Sequence, residues 1–391
     1  MNKRMFLKIA GSGAIIVAAG AAGFIGTRTP NAALKPWATA GSLYEDPIRR
    51  ALSYAILAPN PHNRQPWIID LKSNTEAVLT CDLDRLLPQT DPFSRQIIIG
   101  LGCFLELFAI AASDQGYKAG ITYFPQGEPS DKLNRQPIAH LSLSRQNPTQ
   151  EKQKDSPLGD PLFTQTLNRH TNRDPYDTSR PVAQEVLQRL HEAASEHVRV
   201  GTTSSGLSLQ QLRILTRDAM LAEIRDAKAY QESIDLMRIG RTEIEANPDG
   251  IFLGGAFLET LSLVGILNRK TLADPKSSTY KIGLDMIKEG AMSSMGFVWI
   301  NTQGNSRSQQ LEAGRAYMRI ALQATADGLA MQPMSQALQE YQSMAPYYKT
   351  VHDRHANQPG ERMQMLARIG YASKAIDAAP RWPLASRIKH S

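Results

Sequence analysis

Cysteine is nearly absent: Cys81 and Cys103 are the only two in 391 residues, too few for a disulfide framework or a cysteine metal site. One falls in a β-rich run and the other in an apolar helical run, so two separate buried thiols are expected. Metal-ligand clusters are equally scarce. His352-x-x-His355 has helical ligand spacing, but no third candidate lies near it, and a surface pair is expected. No convincing nucleophile–base triad is visible, and that absence counts neither way. Acidic residues are missing from positions 1–40, which hold Lys3, Arg4, Lys8, Arg28 and Lys35. Without that segment the formal charge of +7 falls to +2, from 39 basic and 37 acidic residues. The basic excess belongs to the N-terminus and is no footprint for nucleic acid. With 42% apolar and 21% charged residues, the remainder has globular composition and length for a sizeable core, or two linked ones.

The N-terminus has a reading of its own. Ile9 to Ile25 carries no charge and follows Lys3-Arg4-Met5-Phe6-Leu7-Lys8. With the small-residue site Ala38-Thr39-Ala40, this reads as an export signal over residues 1–40. The Lys-Arg-x-Phe-Leu-Lys run is similar to a twin-arginine signal, with Lys3 in place of the first arginine. An uncleaved membrane anchor through residues 9–26 is the alternative, since the stretch approaches spanning length. On either reading the body is exported, to the periplasm or the outer face of the cytoplasmic membrane.

Helix and strand signals alternate through the body. Ser42 and Glu45 form a capping-box pattern ahead of a helix bearing Ile48, Leu52 and Ile56. Trp67–Leu71 and Ala77–Asp82 read as a hairpin. Residues 94–114 read as a central buried helix, apolar nearly all round. Short strands at Ile121–Phe124 and Ile138–Leu143 complete a first half, 41–147. A polar linker follows at 145–157. The second half, 148–391, starts with a helix to Asn168 and a helix from Pro181 to Ala194. It carries a largely helical stretch at about 207–290, a strand Phe297–Thr302, a helix 308–327 and an apolar run Gln364–Tyr371. This is an α+β pattern without a parallel-sheet rhythm.

Two segments carry the chemistry. Ala58-Pro59-Asn60-Pro61-His62-Asn63-Arg64-Gln65-Pro66-Trp67 sets three amide side chains in a Pro-fixed turn, offering the donors and acceptors that a planar heterocycle with alternating C=O and N–H edges requires. Arg169-His170-Thr171-Asn172-Arg173-Asp174-Pro175-Tyr176 sets two arginines and a hydroxyl within five residues, suited to a phosphate monoester. Alone, the first is most often a plain turn and the second a solvated loop. Together they fit one ligand.

The order of these segments resembles the nitroreductase family, whose members bind FMN between two subunits. There an Arg-Arg-Ser-x-Arg motif precedes a helix and then Ala-Pro-Ser-x-x-Asn-x-Gln-Pro-Trp. Here the first half keeps the Asn-x-Gln-Pro-Trp segment but lacks the arginine motif at Asp46 to Leu52. The second half keeps Arg169-His170-Thr171-Asn172-Arg173, but after the next helix reads Ser195-Glu196-His197-Val198. Each half retains what the other has lost. The resemblance therefore implies two degenerate halves fused as an intrachain pseudo-dimer, a monomer with one cofactor site, as in the double-length, Acg-like members with an export leader. Gly328-Leu329-Ala330-Met331-Gln332-Pro333, Arg368-Ile369-Gly370-Tyr371 and Pro380-Arg381-Trp382-Pro383-Leu384 are shared with that branch. Asn60 and Thr171 each stand where the family has Ser.

The resemblance assigns Arg169, Thr171 and Arg173 to the FMN phosphate and ribityl chain, with Arg381 as a further phosphate contact. It sets Asn60, Asn63 and Gln65 at the pyrimidine edge, and Pro333, Met334 and Ser335 beside flavin N5. The implied function is an FMN-dependent oxidoreductase passing a hydride to a flat acceptor such as a nitroaromatic or quinone, from an unidentified donor. The alternative is an FMN-binding or flavin-sequestering protein, with the stretch 207–290 as a lid.

Overall fold

A computed structural model of the chain describes residues 27–146 and 159–389. The apolar run Ile9 to Ile25 and most of the linker at 145–157 lie outside the described residues. The body begins earlier than composition suggested. Helix α1 (Asn31–Thr39) buries Ala33 and Trp37, Trp37 Nε1 donates to the Ala379 carbonyl at 2.8 Å, and Arg381 N donates to the Ala33 carbonyl. Residues 31–39, within the expected leader, thus pack against the body. Helix α2 (Pro47–Ala55) is capped by Asp46, whose side chain accepts from Arg49 N. The Ser42–Glu45 box is displaced because Asp46 followed by Pro47 is a stronger start, the proline sitting where no N–H is needed.

The hairpin forms as expected, β1 (Trp67–Leu71) with β2 (Glu76–Cys81), pairing Trp67 with Cys81 and Leu71 with Ala77. Helix α3 (Arg95–Asp114), β3 (Tyr117–Tyr123) and β4 (Pro137–Arg145) follow. Although α3 is long and apolar enough to cross a bilayer, it is the buried helix of the core. The antiparallel sheet has the order β1-β2-β4-β3.

The second half repeats this plan. Helix α4 (Gln184–Glu192) leads to β5 (Arg199–Thr203). An insertion then runs through α5 (Gly206–Arg225), α6 (Ala227–Asp235), β6 (Met237–Ile239), α7 (Gly240–Ala246), β7 (Ile251–Leu253), α8 (Ala256–Leu263), α9 (Arg269–Ala273) and α10 (Ser278–Met292). Next come β8 (Gly296–Gln303), α11 (Arg307–Ala326), β9 (Ala330–Pro333), α12 (Ala345–His355) and β10 (Glu361–Gly370). The sheet order β5-β8-β10-β9 is that of the first half. Thr203 pairs with Phe297 across β5 and β8, so the insertion stands where the first half has the short turn Lys72–Thr75.

Two expected helices differ. The one ending at Asn168 is a 3-10 helix, Pro161–Gln165, after which Thr166, Arg169 and Asn172 remain buried. The one expected from Pro181 starts at Gln184 behind Ala183. Helices α3 and α11 cross at the centre, and the main hydrophobic cluster joins Ile48, Trp67 and Phe104 of one half to Ile300, Leu311 and Ile369 of the other. The tail returns to the first half, where Ile388 bridges Ile69 in parallel. Cys81 and Cys103 are free and buried, as expected.

Candidate active site

The amide-rich turn is built from unusual backbone. His62, Asn63 and Gln65 have φ of 45°, 53° and 51°, a left-handed conformation that costs energy unless its surroundings hold it. Asn60 Oδ1 accepts from Gln65 N at 2.7 Å, and Asn60 Nδ2 donates to the Ala58 carbonyl at 3.0 Å. The turn rests on α3 because residue 100 is glycine: a Cβ there would lie 2.9 Å from Asn60 Cβ. Asn63 Nδ2 donates to the Pro380 carbonyl at 2.9 Å, while its Oδ1 accepts from Arg381.

Gln65 requires a correction. It is fully buried, its Nε2 donates to the Pro248 carbonyl at 2.7 Å, and its Oε1 accepts from Trp382 N at 2.9 Å. It fastens the insertion and the tail to the turn and does not reach the cavity. Asn60 and Asn63 do reach it, each with one donor and one acceptor valence to spare.

The arginine segment lies along the edge of β9. Thr171 bridges Met331 in parallel, and Asn172 N donates to the Met331 carbonyl at 3.1 Å. This contact carries Arg169 and Thr171 to the same wall as Pro333 and Ser335. Met334 is the second correction. Successive residues of an extended chain face opposite ways, so Met334 points into the core with Leu338 and Leu366. Arg368, fully buried, supports the segment from behind: Nη2 donates to the Asp174 carbonyl at 2.9 Å and Nε to Gln332 Oε1 at 2.6 Å.

A cavity of about 370 Å³ opens between the halves, within the range of small-molecule sites. Asn60, Asn63, Arg169, Thr171, Arg173, Pro333, Ser335 and Arg381 line it. Arg169 and Arg381 are 5% and 2% exposed. Burial lowers the affinity of all three guanidiniums for their protons, and Arg169 helps push Arg381 down to about 9. None forms a salt bridge among the described residues, and Arg381 Nε has no partner. Asp377 lines the cavity without pairing with them. Arginines keep their charge in proteins, so three without an ion-pair partner around one cavity call for an anion, although the Arg381 Nη atoms also donate to the Leu57, Ala58 and Pro380 carbonyls. Burial, then Arg173 and Arg64, lowers His62 to about 4; burial, then Arg169 and Arg381, lowers His170 to about 4. Both imidazoles are neutral at pH 7.

Several lining residues carried no signal in the sequence. Trp37 was hidden in the leader, and Arg381 lies 5.5 Å from its ring. Tyr317 comes from the middle of α11, and Met220, Glu223, Ile224, Tyr230, Ser233 and Ile287 come from the insertion. Elsewhere, His352 stacks on Tyr348 at 3.9 Å and accepts from Met363 N. No group of three metal-ligating residues exists among the described residues.

The opposite face of the central helices is closed. Helices α3 and α11 begin at Arg95 and Arg307 and end at Asp114 and Ala326, a constant offset of 212 positions. Gly100 and Cys103, on the cavity wall, thus correspond to Glu312 and Arg315. There Tyr123 Oη donates to Glu312 at 2.6 Å, Arg315 donates to Tyr123 Oη at 2.8 Å and to Glu106 at 2.7 Å, and Arg319 binds Glu106 and Asp160. An ion-pair network stands where the other side has small residues and open space.

The Nitroreductase family model matches residues 166–371, from just before the arginine segment through the end of β10. The chain belongs to the nitroreductase family. This family member is similar to a Mycobacterium tuberculosis protein provisionally named an NAD(P)H nitroreductase, with 25% identity over 344 residues, 86% of this chain and 88% of the relative. The acg protein of the same organism, provisionally given the same activity, is 37% identical over 89 residues, 23% of this chain and 26% of its own. Among solved structures, the FMN-dependent nitroreductase NfnB from Mycobacterium smegmatis, in complex with NADPH, aligns at a TM-score of 0.35 and 17% identity. That alignment covers 57% of this chain and 95% of NfnB. The nitroreductase-like α+β fold expected from the sequence is the fold of this chain, here in two halves of one topology.

Proposed function

We propose that the cavity holds one FMN and that the chain is an FMN-dependent oxidoreductase reducing a flat acceptor such as a nitroaromatic or quinone. The observation that carries this is the set of three guanidiniums, Arg169, Arg173 and Arg381, that line the cavity with no ion-pair partner among the described residues. Their charge fits a phosphate monoester, Arg381 Nε is left buried without a partner, and membership of the nitroreductase family supports FMN as the group that carries the phosphate. Bound FMN would supply hydride transfer at N5, and the protein's part is binding, orientation and exclusion of water. Arg169, Thr171, Arg173 and Arg381 would hold the phosphate and ribityl chain. Asn60 and Asn63 would offer their spare amide valences to the heterocycle, and Pro333 and Ser335 would flank its reactive edge.

The relatives' names suggest NAD(P)H as electron donor. The leader favours export, by the twin-arginine route or as an anchored protein, and a chain outside the cytoplasm would need another donor. A second reading, flavin sequestration, is favoured by the insertion, which covers the cavity with Met220, Ile224, Tyr230 and Ile287. The double-length, single-chain architecture is supported by the repeated topology and by a relative matched over 88% of its own length. FMN titration followed by absorbance should saturate at one per chain, on a protein that is monomeric by light scattering. A ratio of two, or flavin bound only by a homodimer, would overturn the single-site reading. Steady-state oxidation of NADH and NADPH by that holoprotein, with nitroaromatic and quinone acceptors, separates turnover from storage.

A further inference from the structure

The cavity has a second polar end, which phosphate binding leaves unused. Its residues come from the insertion and from the 3-10 turn Ser335–Leu338. Glu223 on α5 and Ser233 on α6 share the cavity wall with Gln336 and Gln339. Gln339 Nε2 donates to Glu223 Oε2 at 2.6 Å, and Gln336 donates to the same carboxylate. Tyr341 Oη donates to Gln339 Oε1 at 2.8 Å, which turns the Gln339 amine toward Glu223. Two polar atoms are left over. Ser233 Oγ and Gln336 Oε1 are buried without a partner, on residues that line the cavity, and Ser233 is 5% exposed. Buried polar groups are almost always hydrogen-bonded, so a pair of orphans on one wall marks a place for a ligand.

The charge at this end is opposite to that at the arginines. The charged groups that act most on Glu223 are Glu232 and Asp226, both acidic, and the Tyr341 phenol also faces it. Burial, reinforced by those two acids and partly offset by the glutamine amides, raises the Glu223 carboxyl to about 7. The groups that act on Arg169 and Arg173 are Tyr317, Cys103 and Tyr176, not Glu223. The cavity is bipolar, one end seeking an anion and the other seeking hydrogen-bond donors.

We propose that Glu223, Ser233 and Gln336 form a second subsite, which takes a flat neutral or cationic small molecule through its N–H donors. Gln336 Oε1 and an ionised Glu223 only accept, and Ser233 can accept or donate, so an amide or amidine edge satisfies all three. Tyr230, Met220 and Ile224 supply apolar surface for a ring. Anions are disfavoured there. The subsite depends on the cavity and not on the group the arginines hold, so its failure would leave the flavin reading standing, and the reverse.

The test is calorimetric titration of the full chain, saturated with FMN, by benzamidine, benzamide and benzoate, which share one shape and differ in charge. Benzamidine should bind tightest and benzoate weakest. Benzamidine stays cationic across the range, so its affinity should rise roughly tenfold between about pH 6 and about pH 8 as the carboxyl ionises. Glu223→Gln should remove that rise and weaken benzamidine roughly tenfold at the higher pH, while changing benzamide little. Ser233→Ala should weaken benzamidine and benzamide alike by a few-fold, without moving the pH profile, and it serves if the first variant does not fold. Benzamidine binding indifferent to pH and to both substitutions would overturn the subsite. A chain that takes up no FMN yet ranks the three probes as expected would overturn the flavin reading alone.

Discussion

Gly102 and Gly314 meet where the two central helices cross. A Cβ on Gly314 would lie 2.0 Å from the Ile99 carbonyl oxygen and 2.9 Å from Gly102 Cα, and one on Gly102 would lie 2.2 Å from the Leu311 carbonyl oxygen. Both obstacles are backbone, which no rotamer change removes. Gly314→Ala must push α11 off α3, and overpacking of this kind costs about 1–3 kcal/mol or more. The same crossing sets Ile99, Gly100, Cys103 and Tyr317 on the cavity wall. A lower urea midpoint together with weaker flavin retention is the expected outcome; an unchanged midpoint would show that the crossing tolerates separation.

Arg173→Ala should release FMN and leave the fold intact. A hydrogen bond to a charged group contributes about 1.5–3 kcal/mol, or roughly ten- to a hundredfold in affinity. Among the described residues, the Arg145 side chain at the end of β4 donates to Tyr117 Oη at 3.4 Å on the surface. Arg145→Ala is therefore the control that keeps its flavin. Flavin-to-protein absorbance after gel filtration reads both variants, and equal retention would move the phosphate site elsewhere.

The neutral histidines give the protein an acid limit. His62 and His170 sit near 4 in the fold, against an ordinary value of 6.5. Between those values the unfolded chain binds more protons, so stability rises with pH through that window. The contribution is complete above about pH 6.5 and is lost as pH falls toward about 4. A phosphate beside Arg169 and Arg381 would raise His170 and shrink the loss. Thermal midpoints should therefore fall less between about pH 7 and about pH 5 for FMN-saturated protein than for flavin-free protein. Parallel slopes would separate the anion site from His170.

How much of this was legible in the sequence depended on the physics behind each feature. Helix α3 announced itself through an apolar run from Ile97 to Ile110 interrupted only by Glu106, and the β1–β2 hairpin through two β-rich runs around a polar turn. The arginine segment, alone most often a solvated loop, gained weight only beside the amide-rich turn, because the two together fit one ligand. Gln65 was misplaced because an amide side chain looks the same whether it faces a ligand or braces a backbone, and its φ of 51° is invisible in a sequence. Met334 was misplaced because the alternation of an extended segment has no fixed phase without its partner strand. Trp37 was lost to the apolar, acid-free composition it shares with the leader. Glu223 and Ser233 gave no signal, since a single acid or serine on an amphipathic helix is ordinary until a cavity forms beside it.

The final prediction separates an enzyme from a flavin store, through two of the polar pins that hold the insertion to the body. Asp249 Oδ2 accepts from Arg85 at 2.6 Å and lies 3.6 Å from Arg64, while Arg238 holds Oδ1 at 2.9 Å. Burial opposes its ionisation, but Arg85, Arg238 and Arg64 together keep the carboxyl below its usual range. Glu232 accepts from Gln89 N, Thr90 N and Thr90 Oγ1 at 3.0, 2.9 and 2.6 Å. Breaking a buried ion pair from one side costs about 3–5 kcal/mol. Asp249→Ala with Glu232→Ala should therefore loosen the insertion, while α5 stays docked through Leu209, Leu212 and Leu215 near Phe297 and Trp299. If the insertion sequesters the flavin, the double variant should keep FMN but be reduced by dithionite several-fold faster in stopped flow. Its reduced form should likewise react faster with a nitroaromatic. An acceptor that already reaches the flavin in the parent chain would gain nothing. Unchanged rates in a variant with intact circular dichroism would make the insertion an ordinary part of the wall and assign the protein to turnover.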